Sequence, residues 1–378
     1  MSGIYIHIPF CKQACSYCDF HFSTSLRYKD EMIGALIHEI ELSKGFLPDR
    51  DIRTIYFGGG TPSLLLSSEI LRIVDKINSV YDIGNVQEIT LEANPDDLSS
   101  SYLYQLRSTP VNRLSIGVQS FQEEDLKLMN RAHNAGEAEA AIKRAQDMGL
   151  DRMSCDLIFG TPTLSHAQLK ANIGKLASWN VPHISAYSLT IEDRTLLYRQ
   201  MLKGQFQPAS EVHYEAQMKI AMDYLEGLGY EQYEISNYAR DEQYAVHNTN
   251  YWKGIPYLGI GPSAHSFDGK VRRWNVRNNA RYMKSVLSEQ EVPSESELLT
   301  IRDQINERIL TSFRTKWGLD TNRYSLDFGV GALQELLQRA SGHMAQGYIV
   351  EKESHLVLAP EGRLIADQIC SDLFELNP

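Results

Sequence analysis

Cys11, Cys15 and Cys18 stand in the run His7-Ile8-Pro9-Phe10-Cys11-Lys12-Gln13-Ala14-Cys15-Ser16-Tyr17-Cys18, a C-x3-C-x2-C spacing. Three thiolates this close in sequence can converge on one metal centre and leave one coordination position open for a ligand. A four-iron cluster has four iron corners, and this loop fills three of them. Zinc is the rival reading. His21 follows Cys18 by three residues, so a Cys3His site can be drawn, although structural zinc more often pairs two separated C-x2-C knuckles. Without a metal, three neighbouring cysteines would only be an oxidation liability.

The rest of the composition sets limits. The chain has 378 residues, 43% hydrophobic and 22% charged, with a net charge of −11. That acidic balance offers no basic face for nucleic acid. No basic stretch followed by an apolar run opens the chain, and no run of about 18 apolar residues suggests a membrane span. The expected location is the cytoplasm, with transient contact at a membrane surface left open. Five cysteines are present, three of them in the opening cluster. That clustering argues for a metal site in a reducing compartment rather than a disulfide framework. Cys155 and Cys370 read as small apolar core residues.

The elements that must position the cysteines alternate between strand and helix. Strand candidates are Ile4–Ile8, Ile52–Phe57, Gln87–Leu91, Arg113–Val118, Asp151–Phe159 and His183–Leu189. Between or after them lie helical patterns at Tyr28–Lys44, Ala135–Met148, Ala167–Trp179 and Glu211–Leu228, and one that starts at Ser67 as N-cap. Such alternation implies right-handed crossovers and a parallel sheet. Without a dinucleotide-binding glycine fingerprint after the first strand, it favours a barrel-like α/β sheet whose site lies at the C-terminal strand ends. The polar signatures all follow or end a strand candidate. Gly58-Gly59-Gly60-Thr61 would let bare backbone approach a ligand. Glu92 and Asp156 sit beside runs expected to be buried, and so should accept hydrogen bonds from a ligand or from Arg131. Taken alone, Arg131 also reads as a solvated charge at a helix end.

The cysteine spacing, with Tyr17 before the last cysteine, resembles the radical S-adenosylmethionine superfamily. Tyr5-Ile6-His7-Ile8-Pro9-Phe10-Cys11, Gly58-Gly59-Gly60-Thr61-Pro62, Glu92-Ala93-Asn94-Pro95, Gly117-Val118-Gln119-Ser120-Phe121 and Asp156-Leu157-Ile158-Phe159-Gly160 narrow the resemblance to the oxygen-independent coproporphyrinogen oxidase branch. The resemblance implies a partial (β/α)6 barrel and a 4Fe-4S cluster on Cys11, Cys15 and Cys18. It also implies S-adenosylmethionine bound by Tyr5, Gly59, Gly60, Thr61, Glu92, Gln119, Arg131 and Asp156.

Within that branch, the dehydrogenases that decarboxylate coproporphyrinogen carry a further cysteine two residues after the third, where this chain has Phe20. They also carry an N-terminal extension, whereas this chain reaches its first strand candidate almost at once. Both departures lead us to expect a heme carrier of porphyrin metabolism that hands heme to an acceptor protein, with no residue assigned a catalytic role. The carrier relatives share an H-N-x-x-Y-W signature, present here as His247-Asn248-Thr249-Asn250-Tyr251-Trp252. A neutral imidazole can ligate heme iron, and flanking aromatic rings can stack on a flat macrocycle. By resemblance His247, Tyr251 and Trp252 are heme-binding candidates; the bland reading is a turn cap and two core aromatics. His265, in Pro262-Ser263-Ala264-His265, is a second candidate ligand, for which a structural role is the favoured reading. The expected division is a barrel over 1–230, an aromatic-rich connecting region over 231–290, and a mainly helical, winged-helix-like unit over 291–378. The oligomeric state stays open.

Overall fold

Parallel strands rich in Ile, Leu and Val and buried on both faces start the architecture. In the computed structural model, which describes residues 1–375, six of them lie side by side: β1 (Ser2–Ile8), β2 (Ile52–Gly59), β3 (Glu88–Ala93), β4 (Arg113–Gln119), β5 (Met153–Phe159) and β6 (His183–Ser188). Neighbours pair in parallel, as in Ile4↔Ile55, Ile55↔Ile89, Leu91↔Leu114, Ile116↔Cys155 and Cys155↔Ile184. Helices over Lys29–Leu42, Ser67–Val80, Ala135–Asp147 and His166–Ser178 run between them and put Leu36, Ile73, Ile142 and Ile173 into one core with the strands. The expected partial α/β barrel is the observed fold.

Helix ends follow capping chemistry. Ser165 and Asn134 accept from the third backbone N–H of their helices. Ser67 is not the N-cap expected of it but the first helical residue. Leu66 precedes it, and the Leu66 N–H donates to Glu69 Oε2 at 2.7 Å.

Residues 231–290 are not a connector beside the barrel. With the few residues that follow they supply six more strands: β7 (Glu231–Glu234), β8 (Asn237–Ala239), β9 (Tyr257–Ile260), β10 (His265–Phe267), β11 (Val271–Asn275) and β12 (Ser294–Leu298). The full order is β12-β11-β10-β9-β1-β2-β3-β4-β5-β6-β8-β7. β9 pairs in parallel with β1, whereas β8 joins β6 antiparallel. Their core residues, among them Leu258, Ile260, Tyr282 and Val286, belong to the barrel core. A separate core then forms around Ile305, Ile309, Phe313, Leu336 and Ile369. It is built by helices Ile301–Phe313, Thr321–Phe328 and Val330–Ala345, by a three-stranded sheet of β13 (Leu319–Asp320), β14 (Ile349–Lys352) and β15 (His355–Leu358), and by a last helix, Ala366–Leu373. These four helices with a small antiparallel sheet match the winged-helix-like expectation.

Candidate functional site: a cysteine loop over a barrel cavity

The loop after β1 carries Cys11, Cys15 and Cys18 across the C-terminal ends of the strands, and backbone pins it there. Cys11 N–H donates to Ser23 carbonyl at 3.0 Å, Ser16 N–H to Met129 carbonyl at 3.0 Å and Leu197 N–H to Ser16 carbonyl at 2.8 Å. Asn130 Nδ2 reaches Ala14 carbonyl at 2.7 Å. All three cysteines are free thiols, and all line one cavity of about 710 Å³ that runs down into the barrel.

Two glycines let β2 pass beneath this loop. A Cβ on Gly60 would sit 2.5 Å from Phe10 carbonyl oxygen and 2.7 Å from that of Ile8. Gly59 has φ +106, and its Cβ would meet the His7 ring at 2.5 Å. Gln119, which ends β4, holds φ 67 without being glycine, a backbone strain of the kind that collects at binding sites.

Arg131 is the tie between loop and barrel rather than a solvated charge. Its Nη1 donates to Cys15 Sγ at 3.2 Å, and its Nη2 to Asn94 Oδ1 at 2.6 Å and to Gly117 carbonyl at 2.9 Å. It makes no hydrogen bond to Glu92 or Asp156, which leaves a ligand, the other donor expected for these carboxylates. Glu92 instead accepts from Tyr56 Oη at 2.8 Å and from Gly59 N–H at 3.1 Å. Burial, opposed by the Tyr56 bond and reinforced by the charge of Asp156, pushes the Glu92 carboxyl up to about 7. Burial likewise raises Asp156 to about 6, against hydrogen bonding from Ser185 and the charge of Arg113. Thr61 is buried and its hydroxyl accepts from Asn94 Nδ2 at 3.3 Å.

Tyr5, Gly59, Gly60, Thr61, Glu92, Gln119, Arg131 and Asp156 all line the cysteine cavity. So do Tyr56, Thr90, Asn94, Arg113 and His183, which the sequence reading did not select. Only Asn94 had a local signal, as the third residue of the Glu-Ala-Asn-Pro run. Thr90 Oγ1, Arg113 Nη2, Arg131 Nε and His183 Nδ1 are buried and have no hydrogen-bond partner among the described residues. Four unsatisfied polar atoms on one cavity wall fit a polar ligand of several functional groups. Three thiolates at its mouth fit an iron–sulfur cluster. No group of three or more His, Cys, Asp or Glu side chains among the described residues is arranged for a single ion, and His21 Nε2 is already bonded to Asn279 Oδ1 at 2.7 Å.

The His247 motif divides. His247 is 1% exposed and lies behind the cavity wall, beside Thr54 and Glu88 near the N-terminal ends of β2 and β3. Its ring bonds Thr54 Oγ1 through Nδ1 and Tyr251 Oη through Nε2, each at 2.8 Å, and stacks on Tyr56 with centroids 5.1 Å apart. The first turn of its helix, Val246–Trp252, is held by Glu88, whose carboxylate accepts from Val246 and His247 N–H at 2.9 Å each. Burial pushes the imidazole down to about 3. Axial ligation by His247, expected above, would require it to surrender one of these bonds. As folded it braces Tyr251. Tyr251 and Trp252 do reach open space: they line the cysteine cavity and also a neighbouring cleft of about 790 Å³. Tyr5, Asp19 and Phe20 line both as well, and Phe20 is 66% exposed at the junction.

Comparison with known proteins agrees with this geometry. Residues 5–175 match the radical SAM superfamily model, and residues 299–365 match that of the HemN C-terminal domain. A curated protein of Bacillus subtilis (strain 168), named heme chaperone HemW, is 33% identical over 98% of this chain and 98% of its own length. The chain belongs to the HemW family. The member of this family from Escherichia coli (strain K12) is 31% identical over 97% of this chain and 96% of its own. Among solved structures, coproporphyrinogen III oxidase from Escherichia coli, described as a radical SAM enzyme, superposes with a TM-score of 0.84. It shares 22% identity over 99% of this chain and 90% of its own, so that likeness speaks for the fold.

Proposed function

We propose that this chain is a heme chaperone: it takes up heme and releases it to an acceptor protein. The observation that carries this reading is the second cleft. It adjoins the cysteine cavity, has room for a drug-sized or larger flat molecule, and is walled by aromatic, histidine and arginine side chains. Family membership supports it, since the curated relatives bear the name heme chaperone. The acceptor is a protein of unassigned identity. No helix among the described residues is long and apolar enough to cross a membrane, which is compatible with the cytoplasm as the place of action.

The cysteine cavity is assigned to the 4Fe-4S cluster and S-adenosylmethionine, the cofactors that go with the radical SAM fold. When bound, a cluster with one open iron can chelate S-adenosylmethionine and supply an electron to it. The chain's own residues hold and shield that site. Cys11, Cys15 and Cys18 supply thiolates. Arg131 fixes Cys15 and offers positive charge beside it. Glu92, with its raised affinity for a proton, offers an acceptor that a ligand hydroxyl or amine would engage. Phe20, at the place of the extra cysteine in the related dehydrogenases, cannot ligate iron, and this weighs against coproporphyrinogen turnover.

Heme titration of the cluster-loaded protein tests the proposal. A Soret band that saturates, followed by heme transfer to an apoprotein acceptor, is the expected result; no Soret change overturns it. Formation of protoporphyrinogen from coproporphyrinogen III and S-adenosylmethionine under anaerobic conditions would favour the dehydrogenase instead.

A further inference from the structure

Alternation along the β10–β11 hairpin decides which side chains face the second cleft. His265 pairs with Trp274 and Phe267 with Arg272. In an antiparallel ladder, paired residues share a face, so these four side chains stand together. Phe267 also pairs with Tyr257 of β9. Ser266 and Arg273 point the other way: Ser266 is buried with its Oγ accepting from Gly259 N–H at 2.9 Å, and Arg273 lies over Phe46 at 4.3 Å. The opposite wall of the cleft is one stripe of helix Ile301–Phe313, with Gln304, Glu307, Arg308 and Thr311 at helical spacing. A sheet face set against a helix stripe makes a slot suited to a flat ring system.

Three histidines line the slot, and they differ in what they have free. His7 uses both ring nitrogens, Nδ1 to Tyr5 Oη at 3.2 Å and Nε2 to His21 carbonyl at 2.8 Å. His21 commits Nε2 to Asn279. His265 makes no ring hydrogen bond among the described residues and is exposed to the slot. It stacks on Trp274, centroids 6.3 Å apart, which fixes the ring plane while leaving both nitrogens available. The arginines differ in the same way. Arg272 pairs with Glu307 at 2.9 Å and Arg308 with Asp327 at 3.2 Å. Arg277 donates to Asp19 carbonyl and has no carboxylate partner among the described residues.

From these placements we propose that heme binds in this slot, with His265 as an axial ligand to its iron and Arg277 facing a propionate. The proposal rests on the heme-chaperone reading and names the site that reading leaves open. His247 then acts at one remove: by holding Tyr251, it shapes the wall between slot and cysteine cavity. Among the described residues, His265 is the one slot histidine with both ring nitrogens free of hydrogen bonds, whereas His7 has neither free and His21 keeps Nε2 on Asn279, which is the physical reason for choosing it.

The test is hemin titration of the full-length, cluster-loaded chain, compared with His265→Ala, Arg277→Gln and an iron-free ligand, protoporphyrin IX. Wild type should show a saturable Soret band. His265→Ala should move its maximum and weaken hemin at least tenfold, with added imidazole restoring the wild-type position. Protoporphyrin IX, lacking iron, should bind wild type and His265→Ala alike, whereas Arg277→Gln should weaken both ligands. The His265 side chain is exposed and unbonded, so its removal should leave the melting temperature unchanged. A wild-type Soret band that His265→Ala leaves in place, with unaltered affinity, overturns the site while leaving the chaperone reading intact. No Soret band in wild type overturns both.

Discussion

Arg131 Nη1 lies 3.2 Å from Cys15 Sγ while its Nη2 holds both Asn94 and the Gly117 carbonyl. One guanidinium thereby links a cluster cysteine to the ends of β3 and β4. Hydrogen bonds to a charged group contribute about 1.5–3 kcal/mol each. Arg131→Met should leave the barrel folded but loosen the loop. Iron and acid-labile sulfide per chain should fall well below wild type after the same reconstitution, and limited proteolysis should cut near residue 15. Wild-type iron content in the variant would refute this role.

The cysteines themselves give a sharper outcome. Cys15→Ser should abolish the brown chromophore and the iron content. The melting temperature of the iron-free protein should hardly move, since the loop has its own backbone anchors.

Gly60→Ala tests the passage of β2 beneath the loop. The added methyl would lie 2.5 Å from Phe10 carbonyl oxygen and 2.7 Å from that of Ile8, both backbone atoms with little room to yield. Overpacking of this kind costs about 1–3 kcal/mol. Denaturant unfolding should show that loss, and cluster retention should drop with it.

Glu92 predicts a pH signature for the ligand-free protein. Burial raises its folded-state carboxyl from the ordinary 4.5 to about 7, so the native state holds its proton more tightly than the unfolded chain. The stability this confers is full below about 4.5 and declines as pH rises toward 7, by up to about 1.4 kcal/mol per pH unit. Relative to Glu92→Gln, wild type should lose stability across that window. Saturation with a ligand that donates to Glu92 should flatten the slope. A wild-type-minus-variant difference that stays flat without ligand would contradict the assignment.

His247 predicts the opposite slope. Burial lowers its imidazole from 6.5 to about 3, so the unfolded state takes up the proton first as the solution is acidified. Its contribution is complete above about 6.5 and is lost as pH falls toward 3, again by up to about 1.4 kcal/mol per unit. The advantage of wild type over His247→Gln in urea unfolding should shrink between pH 6.5 and 4.

Much of the barrel was legible because parallel strands buried on both faces are short apolar runs, and the six expected ones match β1 to β6 within two residues at each end. The cysteine loop and the polar residues at strand ends were equally visible, because chemistry and position coincide there. Three features were not. β7, β8 and β10 are three or four residues long, too short for periodicity to register, so 231–290 read as a connector. For Arg131 the sequence offers a carboxylate or solvent as partner, whereas its hydrogen-bond partners are a thiol, an amide and a carbonyl brought near only by the fold. For His247 the motif was evident, but its Thr54 partner lies 193 residues away. Nothing local distinguishes a free imidazole from one with both nitrogens spent.

Tyr5, Asp19, Phe20, Tyr251 and Trp252 belong to the walls of both hollows. A partition with an occupant on each side cannot be indifferent to either. If filling one hollow reorients Phe20 or Tyr251, the other is reshaped by the same movement, and thermodynamic reciprocity makes the two occupants alter each other's affinity by one common factor. The protein would then read the state of its iron–sulfur side through how firmly it grips its cargo, with an exposed phenylalanine and a braced tyrosine as the moving parts.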